Sequence, residues 1–441
     1  MSEKKTIRGA EFLITETAAN DIFIPEEWNE EQKMIAQMCN DFLAAEVHPH
    51  LEEIDKAEDT SLMPSIMDKA GQLGLLGMSV PEELGGMGVD FKTSMLATEA
   101  LGAGYSFSVA YGAHTGIGTL PLLYYGTEEQ KAKYIPKLAT GEWKASYCLT
   151  EPSSGSDANS GRTTATLSAD GTHYELTGQK MWITNAGFAN LHTVFARIGD
   201  DENLTAFLVE ADLEGITLNP EEKKMGIKGS STRQVFYNNV KVPAENMLSD
   251  RENGFKIAVN ILNIGRVKLG AGVLGGVRTV TSLAVKYSTE RKQFGVSINS
   301  FGAVKRMLAE MATRTFVSES LCYRAGQDIE DRMDALAAEG MPDAEAKLKA
   351  LEQFAIEAAI AKVHGSEVLD FVVDQGVQVY GGMGYSADAP MERAYRDARI
   401  ARIYEGTNEI NRMLMVGMLL KRAMKGEINL FEPAMAVSKE L

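Results

Sequence analysis

The spacing of apolar and polar residues changes twice along the chain. From the N-terminus to about residue 145, apolar positions recur at helical intervals. Asn29 followed by Gln32 predicts a capping box ahead of an apolar stripe at Met34, Met38 and Phe42. Further helical patterns span 62–76, 92–102 and 128–138, separated by glycine and proline punctuation such as Gly85-Gly86-Met87-Gly88. Near Ser146 the period shortens to that of strands. Runs at 163–168 and 172–177 flank Asp170-Gly171, a strong hairpin-turn pair. Runs at 193–198 and 205–210 predict a second hairpin across 199–203, and 235–242 a further strand closed by Pro243. From Gly254 the helical period returns and persists to about Ala423. Within it, 346–363 is predicted as one long helix with Leu351, Phe354, Ala358 and Ala361 on its apolar face. Segregated helices, strands and helices argue against a doubly wound sheet. The predicted division is 1–145 helical, 146–249 β, 250–425 helical, and a tail at 426–441.

One motif runs against that division. Gly270-Ala271-Gly272-Val273-Leu274-Gly275 matches the dinucleotide fingerprint GxGxxG. No strand precedes it, because 255–269 is helical in pattern, so the glycines predict close helix packing instead.

Composition narrows the function classes. A chain of 441 residues can fill two or three domains. Its 44% apolar and 24% charged content is ordinary for a globular protein. A net charge of −17 without a basic stripe argues against a nucleic-acid partner. Cys39, Cys148 and Cys322 are odd in number and far apart, which predicts a reducing compartment rather than a disulfide framework. No apolar run reads as long enough to span a membrane. Met1-Ser2-Glu3-Lys4-Lys5-Thr6 carries neither a signal-peptide apolar region nor a transit pattern. The expected compartment is a bacterial cytoplasm, or the mitochondrial matrix for a processed eukaryotic chain. The six histidines stand at no metal-ligand spacing, so no metal is expected.

The candidate chemistry centres on Ile403-Tyr404-Glu405-Gly406-Thr407-Asn408-Glu409-Ile410. Glu405 is a lone carboxylate in an apolar setting, and Gly406 lets a ligand press against the backbone. Poor solvation should lift such a carboxyl from its reference pKa of about 4.3 towards the working pH. That describes a general base for a carbon-bound proton. Upstream, 147–156 offers hydroxyls at Thr150, Ser153, Ser154 and Ser156 around Gly155, groups that can hold phosphate or ring carbonyl oxygens. Trp182-Ile183-Thr184 follows, then Arg291-Lys292-Gln293, whose guanidinium suits a phosphate, and Gln378-Val379-Tyr380-Gly381-Gly382.

In this order and spacing the motifs resemble the acyl-CoA dehydrogenase family of flavoenzymes, over most of the chain. The resemblance implies an α+β, acyl-CoA dehydrogenase-like fold: an N-terminal α-helical domain, a middle β-barrel-like domain and a C-terminal four-helix bundle. It implies FAD, bordered by Tyr147, Leu149, Thr150, Gly155, Ser156, Trp182, Ile183 and Thr184. It also implies contacts from Arg291, Gln293, Gln378, Val379, Gly381 and Gly382 to the flavin of a neighbouring subunit, hence a homodimer or homotetramer. Thr407, Asn408 and Glu409 fall where the family meets the adenine-bearing part.

Glu405 is then the expected catalytic base, taking the α-proton of an acyl thioester while the β-hydrogen leaves as hydride. Ser156, Arg266 and Gly406 fall at substrate-contacting positions. Some branches place the base immediately before that arginine, but Gly265 stands there in this chain. The small residues Val109, Gly112 and Ala113 align with the floor of the acyl cavity, so a long-chain acyl-CoA is expected, or else simple helix packing. Gly9-Ala10-Glu11-Phe12-Leu13 and Phe301-Gly302 resemble the very-long-chain branch, and 433–441 reads as the start of the further helical domain that branch carries. Membrane association, tied to that domain in the branch, stays open. An electron-transfer flavoprotein is the expected acceptor. The rival readings are an oxidase of the same fold and a low-turnover assembly protein.

Overall fold

The strand-rich segment forms because its apolar residues alternate or run continuously over short stretches bounded by glycine turns. A computed structural model describes residues 6–440. In it, strands β1 (Ala145–Cys148), β2 (Thr164–Leu167), β3 (His173–Thr184), β4 (Leu191–Ile198), β5 (Thr205–Glu210), β6 (Ile216–Leu218), β7 (Thr232–Pro243) and β8 (Met247–Leu248) form one sheet. Its order is β6-β7-β3-β2-β4-β5-β8, with β1 parallel to β4. The Asp170-Gly171 turn sets the first hairpin: Thr164 pairs with Thr177, and Gly171 sits at φ 72°. The second hairpin pairs Thr193 with Leu208. β6 and β8 end the sheet unpaired with one another, so the barrel-like domain is open. Phe207, Val194, Leu176 and Val235 are fully buried at its centre.

Two compact units emerge, and they cut across the linear order. Among the described residues, one comprises 37–90 and 104–265, and the other 6–36, 91–103 and 266–440. The first unit holds the sheet and most of the early helices, including Glu128–Thr140, whose capping box joins Thr127 and Gln130. The second holds most of the C-terminal helical domain, whose long helices are Gly254–Glu290, Gly302–Ala338, Ala355–Tyr380 and Asn408–Met424.

Several expectations need correction. The helix predicted over 346–363 is two helices, Asp343–Gln353 and Ala355–Tyr380, interrupted at buried Phe354. Arg422 supplies the reason: its guanidinium donates to the Glu352 and Gln353 carbonyls at 2.8 and 2.6 Å, capping the first helix from a distant element. The Asn29–Gln32 capping box is present, but Met34 is 65% exposed, and Gln32 turns inward to Thr93 instead. Gly254–Glu290 is long and apolar enough to cross a membrane by length and composition, which no single apolar run had suggested. About three-fifths of its apolar window is buried (61%), as in a core helix.

The GxGxxG run lies wholly inside that helix. A Cβ on Gly275 would sit 2.2 Å from the Glu99 carbonyl oxygen, and one on Gly270 3.0 Å from Ala361 Cβ. These glycines bring helices together. Gly275→Ala is therefore expected to cost about 1–3 kcal/mol of stability, measured by urea unfolding of the FAD-loaded protein. An unchanged midpoint would contradict the packing role.

Candidate active site

In the second unit, Glu405 and Gly406 form a turn between the short helix Arg399–Arg402 and helix Asn408–Met424. Both are left-handed, at φ 57° and 78°. For glutamate that conformation costs about 1–2 kcal/mol, so the surroundings must hold it. They do so through the carbonyls. Arg266 Nε donates to the Glu405 oxygen at 3.0 Å, Lys362 Nζ to the Gly406 oxygen at 2.8 Å, and Asn411 Nδ2 to the Gly406 and Thr407 oxygens at 2.8 and 3.0 Å. Gly406 is favoured by φ, and the space beside it is tight. An added Cβ would stand 3.2 Å from Asn411 Nδ2 and 3.4 Å from an Arg266 nitrogen.

Glu405 as a residue is half-buried, but its Oε2 is buried and has no hydrogen-bond partner. Burial pushes its carboxyl up to about 7, against the opposing pull of Arg266 and Lys362. Tyr404 is pushed well above its ordinary range by burial, with Glu405 and Asp397 adding to it. A carboxyl so placed can exchange a proton near neutral pH and has an oxygen free to take one. Arg266 is buried, and its guanidinium is lowered by that burial while Glu405 raises it.

The other predicted residues of this unit differ in what they offer. Thr407 caps its helix, accepting from the Ile410 N–H at 3.2 Å, and Glu409 is exposed. Asn408 turns its side chain inward to Lys362, Ser366 and Glu367, leaving no side-chain contact for a ligand. Arg291 and Gln293 are exposed at a two-stranded ribbon whose tip carries Phe294, 93% exposed. Gln378 and Val379 end a helix that Tyr380 ties down by stacking on Tyr287 at 4.0 Å. Val379 is buried, while Gly381 and Gly382 face open space. Lys362 and Asn411 were not anticipated.

In the first unit, the loop after β1 carries the hydroxyl-rich run. Glu151 anchors it, accepting from the Arg162 and Thr163 N–H groups at 2.6 and 3.0 Å and from buried Lys180 at 2.7 Å. The Thr150 carbonyl accepts from Met181 N–H at 2.8 Å, joining the loop to β3. A bulge in β3 between Lys180 and Ile183 places Trp182 at φ 60° with half its surface exposed. Gly155 faces open space, and Ser153 and Ser156 are exposed. Tyr147, Leu149 and Ile183 are buried and could meet a ligand mainly through backbone. A flat aromatic face, free hydroxyls and an anchored loop fit a planar ring system with hydrogen-bonding edges.

Three domain models of one family match this chain: acyl-CoA dehydrogenase N-terminal domain over 29–142, middle domain over 146–240 and C-terminal domain over 252–420. The chain belongs to the acyl-CoA dehydrogenase family. These are FAD-dependent oxidoreductases. A probable acyl-CoA dehydrogenase of Bacillus subtilis is 46% identical over 98% of this chain and 73% of its own length. The human mitochondrial very long-chain specific acyl-CoA dehydrogenase is 40% identical over 89% of the chain. This chain spans 58% of that human relative. Among solved structures, an acyl-CoA dehydrogenase complexed with FAD from Bacillus anthracis superposes with a TM-score of 0.96 at 46% identity, covering 98% of this chain and 74% of its own.

The acyl-CoA dehydrogenase fold also carries the helix Ser106–Gly112, which passes into a π-helical turn at Ala113–Gly118. His114 fixes that turn: Nδ1 accepts from the Ala145 N–H and Nε2 donates to the Leu138 carbonyl, both at 3.0 Å. Burial lowers its pKa to about 4, keeping it neutral. Of the predicted cavity-floor residues, Gly112 faces open space, Val109 is half-buried, and Ala113 is buried. Gly116, missed in the sequence, is buried, yet apart from its own helical turn no heavy atom lies within 4 Å of where its Cβ would be.

Proposed function

We propose that this protein oxidises long-chain acyl-CoA thioesters to trans-2-enoyl-CoA in fatty acid β-oxidation, with Glu405 as the base. The observation that carries the reading is the buried, unpartnered Glu405 oxygen on a strained turn, with a carboxyl raised to about 7. Glu405 takes the proton from the carbon next to the thioester, and the burial of its Oε2 keeps water from competing for it. FAD, when bound, supplies the acceptor for the β-hydrogen and its electron pair. Thr150, Ser156 and Trp182 would hold the flavin of their own subunit, and Arg291 and the segment 378–382 that of a neighbouring subunit in a homodimer or homotetramer. Electrons then pass to an electron-transfer flavoprotein.

Open space at Gly112 and Gly116 supports a long acyl chain over tight glycine packing, as does the likeness to a very long-chain enzyme. Anaerobic titration of the yellow protein with palmitoyl-CoA should bleach the flavin promptly. Binding without bleaching would overturn the long-chain reading, and peroxide at stoichiometric yield in air would favour the oxidase. Filling the space is the sharper test. Gly116→Leu is expected to lower the kcat/KM ratio of palmitoyl-CoA to hexanoyl-CoA about tenfold or more, since each methylene a pocket excludes is worth about 1–3 kcal/mol.

A further inference from the structure

Lys362 is a fully buried ammonium on helix Ala355–Tyr380 whose hydrogen-bond partners are both neutral oxygens. It donates to the Gly406 carbonyl at 2.8 Å and to Asn408 Oδ1 at 2.7 Å. Burying a lysine this way is unfavourable unless its charge is answered nearby. A methionine would fill the same path between helices without that penalty. The groups that face it are Glu405 and Arg266, Glu409 from the next helix and Glu367 from its own. Glu367 is engaged by Arg412 at 2.7 and 2.8 Å and receives the Asn408 amide at 3.3 Å, and Glu409 lies exposed. Glu405 is thus the facing carboxylate that combines burial with an oxygen lacking any partner.

The location matters as much as the charge. Gly406 is the second residue of the left-handed pair, and its carbonyl is fixed by Lys362 and Asn411 together. Losing one donor frees a peptide whose conformation is already strained. The peptide that relaxes is the one joining Glu405 to the helix behind it.

We infer that Lys362 is a positioning residue for proton abstraction: it locks the Glu405-Gly406 turn through the Gly406 carbonyl and supplies a buried counter-charge to the Glu405 carboxylate. This rests on Glu405 being the base. Burial dominates at both ends of the pair: it lifts Glu405 to about 7 and lowers Lys362 to about 8, while each is drawn back by the other. Removing the lysine charge therefore drives the Glu405 pKa further up.

The test is the pH dependence of reduction of the FAD-loaded enzyme, using whichever saturated acyl-CoA reduces the wild type fastest. Lys362→Met should lower the limiting rate at pH 7 about tenfold and move the rising limb up by about one pH unit, with acyl-CoA binding changed less than about threefold. Lys362→Arg, which keeps the charge, should hold the limb in place even where its bulk lowers the thermal midpoint. A Lys362→Met limb at the wild-type pH, or a loss carried entirely by weaker binding, would overturn the proposal. So would failure of Lys362→Met and Lys362→Gln to fold while Lys362→Arg is active with an unmoved limb, which assigns the lysine to stability alone. Glu405→Gln separates the two readings. If it still reduces at near the wild-type rate, the base assignment fails first and the Lys362 result is read as structural.

Discussion

Glu405→Gln is expected to lower the rate of flavin reduction by acyl-CoA about a thousandfold, within the range of 10²–10⁴ that a positioned general base supplies. Glutamine keeps the size and the turn but cannot accept the proton. The flavin should stay bound, since Glu405 sits with Arg266, Lys362 and Asn411 and not in the hydroxyl-rich loop of the first unit. In the wild type the rate should rise with pH through about 7, because only the ionised carboxyl is active. A second readout needs no substrate. The folded pKa of Glu405 lies above its unfolded value of about 4.3, so the native state holds more protons between those two values. Stability therefore falls as pH rises across that window, and the ionised carboxylate is a liability above it. Glu405→Gln removes that liability. Its thermal midpoint should match or exceed that of the wild type at pH 8 and lose the advantage near pH 4. A midpoint lower at pH 8 than at pH 5, relative to wild type, would show that the carboxylate is stabilised in place and contradict a poorly solvated base.

What the sequence made legible follows the range of the interactions involved. Asp170-Gly171 and its flanking strands were readable because a hairpin is closed by residues next to one another. So was the absence of a strand before Gly270, which local periodicity decides. Glu405 was legible as chemistry, since a lone carboxylate beside glycine amid apolar residues is a local signal. Its support was not. Lys362 reads as one more polar residue in a helical pattern, and nothing nearby in sequence reveals that Gly406, 44 residues on, needs its ammonium. Phe354 likewise interrupts a helix with no glycine or proline, because the capping group is Arg422. Gly116 shows a different limit. Glycine in a helix means either close packing or empty space, and the pattern 112–116 is the same for both. At Gly275 the space is filled by the Glu99 backbone, whereas at Gly116 it is empty.

Lys180→Met is expected to destabilise the protein by about 3–5 kcal/mol, because it removes one partner of a buried ion pair. Lys180 is fully buried inside the sheet domain, and its ammonium satisfies Glu151 at 2.7 Å, the Phe195 carbonyl at 2.6 Å and the Leu149 carbonyl at 3.2 Å. Burial pushes the ammonium pKa down, and Glu151 restores it only in part. For Glu151, burial pushes the carboxyl up, but Lys180 and the Thr163 and Arg162 donors more than reverse it, leaving it below the ordinary range. Methionine would leave the buried Glu151 carboxylate without its counter-charge and take one donor from each of two carbonyls. Flavin retention should fall with stability, because Glu151 anchors the loop from Thr150 to Ser156. The flavin-to-protein ratio after gel filtration measures it. The double variant Glu151→Gln/Lys180→Met should recover part of the loss, since the two changes share one interaction and are not additive. The pH sign is a further check. A depressed folded pKa contributes stability that is present above about 4.3 and is lost as pH falls through the folded value. In Lys180→Met the stranded carboxyl can instead take a proton and be relieved. The gap in thermal midpoint between wild type and Lys180→Met should therefore narrow as pH is lowered from 7 to about 4. A gap that stays constant would mean the lysine acts through packing alone, and that the pair's charge does nothing to hold the loop.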